Sequence, residues 1–222
     1  MNYFNTEEPY LLFQKAVRND IFVDKSMLID AVSGKIGTNS GYLCITRPRR
    51  FGKSMNAQML GAYYTKGVES AALFEQLRIA AVKECQRHRN HHNVIFADMS
   101  RLPDFCSSYQ EYISAFIEGP REDLQEAFPA LGRKKYSSIS QMFRDSKASF
   151  IFILDEWDSV FYQDFMTDAD KYAYLSFLKN LLKDQPYVEL AYMTGILPVK
   201  KYGEHSALNM FWEYSMMDQH VF

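Results

Sequence analysis

Residues 41–54 read GYLCITRPRRFGKS, an apolar run that passes through a basic turn to a glycine, a lysine and a serine. This order is typical of a strand, Tyr42–Thr46, that enters a phosphate-binding loop and leaves it as a helix, Lys53–Tyr64. In such a loop, backbone N–H groups and the helix N-terminus face an anion, the lysine reaches the β and γ phosphates, and the hydroxyl holds Mg²⁺. The stretch therefore predicts a nucleotide site within an α/β fold.

The loop lacks the glycine with which such loops usually begin, and Arg47 stands in its place. Pro48 favours an extended backbone at Arg47, which therefore avoids the left-handed conformation that costs about 1–2 kcal/mol. The alternative is a basic turn before a helix, because a bare GKS also recurs by chance. We expect the nucleotide to contact the residues after Pro48, namely Arg49, Arg50, Phe51, Gly52, Lys53, Ser54 and Met55.

The composition is that of a folded chain with almost no net charge. The 222 residues are 47% hydrophobic and 15% aromatic, enough for one sizeable core, and the formal net charge is −2. Non-specific electrostatic binding of nucleic acid requires an excess of basic residues, which this sequence lacks. The cysteines (Cys44, Cys85, Cys106) follow no pairing pattern, no apolar run reaches membrane-spanning length, and the N-terminus does not resemble a signal peptide. We therefore predict a cytoplasmic protein with no membrane partner.

Five apolar runs predict strands, and helical patterns lie between them. The runs are continuous rather than alternating, as in parallel strands covered on both faces; they are Tyr42–Thr46, Val94–Asp98, Phe150–Leu154, Val188–Met193 and a weaker Phe211–Met216. The predicted helices are Lys53–Tyr64, Tyr109–Phe128, Ser137–Asp145 and one that Thr167 caps. We predict a three-layer α/β fold with a mostly parallel five-stranded sheet flanked by helices. A single domain is expected over residues 1–222, with an N-terminal helical segment (1–40) and a core (41–222).

A second motif, FIFILDEWD at residues 150–158, has the form of a buried strand that ends in acids. Ligands of parallel sheets bind at the carboxyl ends of the strands, so the motif should lie beside the phosphate loop. We expect Asp155 to orient Mg²⁺ opposite Ser54, and Glu156 to polarise an attacking water. Asp158 is expected to hydrogen-bond a loop or a basic neighbour. Taken alone, the motif is also a common way for a strand to end.

Three further features each allow two interpretations. Thr194 follows the fourth apolar run, where it could sense the γ-phosphate, although Thr-Gly more often simply ends a strand. Asp98 ends the second run and could join the site, but a loop-capping role is favoured. The stretch QRHRNHHN at residues 86–93 could bind a metal, but no carboxylate or cysteine is placed to complete the site, and a solvated connector is favoured.

The segments FVDKSMLID, ITRPRRFGKS, ILDEWD and TGILPVKKYGEHSALNMFWEYSM together resemble the bacterial AAA-ATPase-like family. Its members are often predicted to pair an N-terminal ATPase with a C-terminal PD-(D/E)XK nuclease-like domain. The RPRRFGK loop is that family's signature, so the resemblance makes the missing glycine a family trait.

The resemblance implies a P-loop NTPase fold with strand order 5-1-4-3-2 and ATP as the nucleotide. Carried over by position, it assigns catalysis to Glu156, Lys53 and Thr194, the metal to Ser54 and Asp155, and the base side to Phe22–Lys25. The chain stops at Phe222, directly after the presumed fifth strand, so we expect the C-terminal helical lid and any nuclease domain to be absent.

These observations predict an ATP-binding protein that hydrolyses ATP with Mg²⁺ and uses binding and hydrolysis to drive a conformational change. One alternative is a nucleotide-gated interaction switch with little intrinsic hydrolysis. The other is the ATPase part of a DNA-acting or defence system, which rests on family analogy alone. ATP is the expected partner, a homo-oligomer or a protein partner stays open, and nucleic acid is a partner only by that analogy.

Overall fold

A computed structural model of the chain describes residues 2–132, 134–199 and 207–215. Its centre is a sheet of five parallel strands in the order β2-β3-β4-β1-β5. The strands are β1 (Tyr42–Thr46), β2 (Val94–Asp98), β3 (Phe150–Asp155), β4 (Val188–Gly195) and β5 (Trp212–Tyr214). The predicted α/β class and the 5-1-4-3-2 order are both confirmed.

Helices connect the strands and cover the sheet. They are α1 (Glu8–Val17), α2 (Leu28–Ser33), α3 (Lys53–Tyr64), α4 (Ala71–Phe74), α5 (Tyr109–Ala127), α6 (Ile139–Asp145) and α7 (Asp168–Leu182). Short 3₁₀ turns occupy Arg78–Ala81, Lys83–His88, Pro129–Leu131 and Ser159–Tyr162. Local signals explain the boundaries: Thr167 and Asp170 form a capping box, and Ser138 caps α6, which begins two positions after its predicted start.

The sheet separates two hydrophobic clusters because successive side chains of a buried strand point to opposite faces. On β4, Tyr192 packs with α1, α2 and α3, whereas Met193 packs with α5, α6 and α7. The strands therefore have apolar residues at consecutive positions, and β3 is buried from Phe150 to Asp155. This two-sided burial is the physical reason that the runs are continuous in sequence.

Three strands have boundaries that differ from the prediction. β3 includes Asp155, and β4 extends through Thr194 to Gly195, because these polar residues continue the pairing beyond the apolar runs. The fifth strand is shorter than the predicted Phe211–Met216, and Met216 lies outside the described residues.

The N-terminal segment covers the outer edge of β2. Phe4 forms an antiparallel bridge with Ile95, and the carboxylate of Asp123 accepts hydrogen bonds from the N–H groups of Tyr3 and Phe4. α1 and α2 follow within the predicted N-terminal helical segment. Within the described ranges, none of the helices combines the length and the apolar character needed to cross a membrane.

Candidate functional site

The phosphate loop, residues 47–52, connects β1 to α3. Arg47 keeps a negative φ, so it avoids the left-handed conformation as expected, and its N–H donates to the carbonyl of Gly195 at 3.2 Å. The left-handed turn occurs later, at Arg50 (φ 70°) and at Gly52 (φ 78°), which caps α3. The loop thus reverses direction without a glycine at its first position.

Lys53 is buried beneath this loop, with 6% of the residue exposed, and its Nζ donates to the carbonyl of Pro48 at 3.1 Å. This hydrogen bond keeps the ammonium of Lys53 inside the phosphate loop, whose backbone is predicted to surround the phosphates. Ser54 follows in the first turn of α3, where its side chain lowers the pKa of Asp155. The two predicted metal residues are therefore brought together from segments that are about one hundred residues apart in sequence.

The acidic motif lies at the same edge of the sheet as the loop. β4 pairs with β1 on one side and β3 on the other, so Thr194 stands between the two motifs. Its hydroxyl donates to Asp155 Oδ1 and accepts from the N–H of Glu156 at 3.3 Å. Thr194 is fully buried and connects the two acids, a contact that sequence reasoning did not predict.

Burial and mutual repulsion shape the electrostatics of the acids. Burial raises the pKa of Asp155, and Asp98 adds to the rise, while Thr194, Ser54 and Lys53 oppose it. Burial also raises the pKa of Glu156, with further contributions from the charges of Asp155 and Asp98. Concentrated negative charge of this kind favours a cation at the site.

Asp98 ends β2 opposite Asp155 in the parallel register. Its carboxylate accepts from the N–H and hydroxyl of Ser100, at 3.0 and 2.6 Å, and from Arg101 Nε at 3.1 Å. It therefore caps the following loop, the role that the sequence favoured. Its charge also reaches Asp155 and Glu156, so Asp98 belongs to the electrostatics of the site.

Asp158 and Gly195 hold the acidic motif against the end of β4. Asp158 Oδ2 accepts from the N–H groups of Ile196 and Leu197 at 3.0 and 2.7 Å, which is the loop contact expected for this acid. A Cβ on Gly195 would lie 2.5 Å from Trp157 Nε1 and 2.7 Å from Asp158 Oδ1. The glycine is needed because the two segments touch at this point.

A pocket of about 440 Å³ adjoins the loop on the side of the N-terminal segment. We call it the base-side pocket; its lining includes Phe22, Val23, Lys25, Phe51, Gly52 and Met55. Three residues of the predicted base-side segment, Phe22, Val23 and Lys25, thus face it. Arg50 also lines this pocket.

Arg49 lies on the other side of the phosphate loop. It lines a smaller pocket of about 190 Å³ with Glu156, Asp158, Ser100 and Tyr162. The predicted nucleotide-contacting residues are therefore divided: Arg49 lines this pocket, and Arg50, Phe51, Gly52 and Met55 line the base-side pocket. Sequence spacing gives no signal for this division.

The histidine-rich stretch lies at the opposite end of the sheet, and the structure corrects one premise about it. A carboxylate is present after all: His92 Nδ1 lies 2.8 Å from Glu189 Oε2, and His92 Nε2 lies 2.9 Å from His88 Nδ1. Ser149 donates to the other oxygen of Glu189 at 2.7 Å. Within the described ranges, no three His, Cys, Asp or Glu side chains are grouped to hold a metal. The histidines are part of a hydrogen-bonded chain.

The all-parallel sheet with this strand order, a phosphate loop after β1 and acids after β3 define a P-loop NTPase-like protein. The family model described as "Predicted AAA-ATPase" matches residues 13–203. The chain belongs to this AAA-ATPase-like family, which its motifs resemble. A search of curated proteins found no match.

Proposed function

We propose that this protein binds ATP with Mg²⁺ and hydrolyses it to ADP and phosphate, using binding and hydrolysis to drive a conformational change. One observation supports this most directly: Thr194, on the strand that pairs with β1, donates to Asp155 at the end of β3, and Ser54 at the start of α3 lowers the pKa of the same acid. The phosphate loop and the acidic motif therefore form one site.

The loop supplies the phosphate contacts in this proposal. Backbone N–H groups around Gly52 and the N-terminus of α3 face the phosphates, and the ammonium of Lys53 leaves the carbonyl of Pro48 for a stronger, anionic acceptor. The carbonyl is a neutral acceptor, so the exchange is favourable when a polyphosphate enters. Arg50 adds positive charge on the side of the base-side pocket.

The donor set fits Mg²⁺, which prefers oxygen ligands and binds proteins through one or two carboxylates together with substrate phosphates. Ser54 and Asp155 would hold the ion, directly or through water, and it would neutralise charge on the phosphates. The raised pKa values of Asp155 and Glu156 support this fit, because a divalent cation relieves the repulsion that contributes to them.

Glu156 is the proposed general base. It accepts the proton of the attacking water as the oxygen of that water bonds to the γ-phosphorus and the bond to the ADP oxygen breaks. Burial and the neighbouring acids raise the pKa of Glu156, which makes its carboxylate a better proton acceptor. Thr194 holds the Glu156 backbone through its hydroxyl and is the proposed γ-phosphate sensor.

The base-side pocket is the proposed adenine site. Phe22, Val23 and Met55 give it an apolar lining next to the phosphate loop, as a planar base requires. Val23 is 62% exposed, and a bound base would cover it.

The test is calorimetric titration of ATP, with and without Mg²⁺, into the wild-type protein and Lys53→Ala. We expect micromolar affinity for the wild type and a loss on the order of hundredfold in the variant, because the buried ammonium is removed. Lys66→Ala is the matched control, since Lys66 is exposed beyond the far end of α3. Equal affinity in the wild type and Lys53→Ala would refute the proposed site.

A further inference from the structure

The segment FVDKS, residues 22–26, is held rigidly against its neighbours. Asp24 accepts from the N–H groups of Ser26 and Arg78, both at 2.8 Å. Ser26 is fully buried, and its hydroxyl accepts from the N–H of Ile79 at 3.0 Å. The N–H of Leu28, the first residue of α2, donates to the Lys25 carbonyl at 2.9 Å. These bonds fix the backbone on both sides of Lys25.

The ammonium of Lys25 lies against the phosphate loop. Its Nζ donates to the carbonyl of Phe51 at 3.4 Å, and a Cβ on Gly52 would lie 3.4 Å from the same nitrogen. The hydrogen bond is at the long end of the accepted range, so it holds the ammonium weakly. The ammonium of Lys25 therefore lies beside the phosphate loop and can exchange the Phe51 carbonyl for a stronger acceptor.

The charge of Lys25 is not neutralised by an acid in the described part of the chain. Among residues 2–132, 134–199 and 207–215, no carboxylate forms an ion pair with this ammonium. Among the described residues that line the base-side pocket, the cations are Lys25 and Arg50, and none is an acid. An exposed cation between an apolar pocket and a phosphate loop favours an anionic group at that junction.

We propose that Lys25 binds the α-phosphate of the nucleotide, as a second lysine of the site that is supplied from outside the phosphate loop. This inference rests on the proposed function, because it takes the base into the base-side pocket and the terminal phosphates onto the loop. The α-phosphate joins these two parts of the ligand, so it lies at the junction that Lys25 occupies. Lys53, beneath the loop, is left for the β and γ phosphates.

The test is competition of ATP, ADP, AMP and adenosine against a fluorescent ATP analogue, in the wild type, Lys25→Met and Lys25→Arg. Lys25→Met should lose about tenfold in affinity for all three phosphorylated ligands, because each carries the α-phosphate, and should keep its adenosine affinity. Lys25→Arg should restore most of the loss. Lys66→Met, at the far end of α3, is the charge-matched control and should behave as the wild type.

Several outcomes would overturn the inference. An equal loss of adenosine affinity in Lys25→Met would show that Lys25 contacts the base or the sugar and not a phosphate. A loss of affinity confined to ATP and ADP would show that Lys25 contacts the β-phosphate and not the α-phosphate. Unchanged affinity for every ligand would show that Lys25 does not contact the nucleotide. A wild-type protein that binds no ATP would overturn the proposed function as well. Melting without ligand checks the fold, and the exposed Lys25 side chain should leave the melting temperature unchanged.

Discussion

At the carboxyl edge of the sheet, where β1, β3 and β4 end, two non-glycine residues have a left-handed backbone, Arg50 (φ 70°) and Glu156 (φ 51°). Burial there raises the pKa of Asp155. At the amino edge, where β4 begins, the contacts have the opposite effect. Hydrogen bonding to His92 lowers the pKa of Glu189, although partial burial opposes the shift. The same sheet thus has a carboxyl edge where acids repel one another and an amino edge where the acid is paired.

The difference between the two edges indicates which edge binds a ligand and which edge contributes to stability. Left-handed non-glycine residues and acids with raised pKa values cost folding free energy, and they persist where the surrounding structure holds them for binding or catalysis. At the amino edge, Asn90, Lys147 and Asp184 also have a left-handed backbone, but the acid there is paired, because Glu189 accepts from Ser149 and contacts His92, which contacts His88. Changes at the carboxyl edge should therefore alter activity most, and changes at the amino edge should alter stability alone.

The largest expected effect is at the proposed base. Glu156→Gln removes the proton acceptor and should lower ATP turnover by about 10²–10⁴-fold while ATP binding is kept. Phosphate release and calorimetry measure the two quantities. Glu189→Gln, at the amino edge, is the control and should keep wild-type turnover. Unchanged turnover in Glu156→Gln would remove this residue from catalysis, and negligible turnover in the wild type would favour a nucleotide-gated switch.

The next effect is on packing between the acidic motif and β4. Gly195→Ala places a methyl group 2.5 Å from Trp157 Nε1, so we expect a loss of about 1–3 kcal/mol in the free energy of unfolding. Urea denaturation measures it. Gly34→Ala is the control, because its Cβ would come no closer than 3.9 Å to the Asp30 carbonyl and its backbone is helical. Equal stability in the two variants would show that the contact at Gly195 relaxes without cost.

A smaller effect, of opposite sign, is expected at Asp155. An acid with a raised pKa destabilises the folded protein at pH values above its unfolded pKa, so removing its charge should stabilise the ligand-free protein. Asp155→Asn keeps an acceptor for Thr194 and should raise the melting temperature by a few degrees, while Mg²⁺-dependent ATP binding weakens. A lower melting temperature without ligand would contradict the view that the carboxyl edge costs stability.

The smallest effect is the pH dependence of the amino edge. Burial, followed by the charges of His92 and Arg87, lowers the pKa of His88 below its usual 6.5. As the pH falls through 6.5 the unfolded chain binds this proton first, so stability is lost toward acid. Glu189 acts in the same direction at lower pH, since its lowered pKa contributes stability that disappears as the pH falls through its folded value.

His88→Gln should therefore flatten the loss of stability between about pH 7.5 and about pH 5.5, as measured by urea midpoints. His91→Gln is the matched control, because exposed His91 hydrogen-bonds the Arg89 carbonyl and its charge contributes least among the named causes of the lowered His88 pKa. Equal slopes in both variants would show that His88 does not carry the dependence. Comparing each variant with the wild type isolates this contribution from the opposing one of Asp155 and Glu156.

The amino-acid sequence by itself determined the elements of this protein. Burial on both faces gives β1–β4 continuous apolar runs in the sequence. The caps at Thr167 and Gly52 mark where α7 and α3 begin. The α/β class and the edge of the sheet that carries the site can therefore be predicted from residues close together in sequence. The Asp98 loop cap is equally local, because its acceptors serve residues two and three positions ahead.

Only the tertiary structure decided which side chains meet across those elements. Glu189 reaches His92 from 97 positions away, and Lys25 reaches the Phe51 carbonyl from 26. Thr194 connects the two acids because β4 lies between β1 and β3. Backbone propensity and apolar periodicity act over a few residues, whereas these contacts depend on the strand order and the parallel register, which arise only when the whole sheet is assembled.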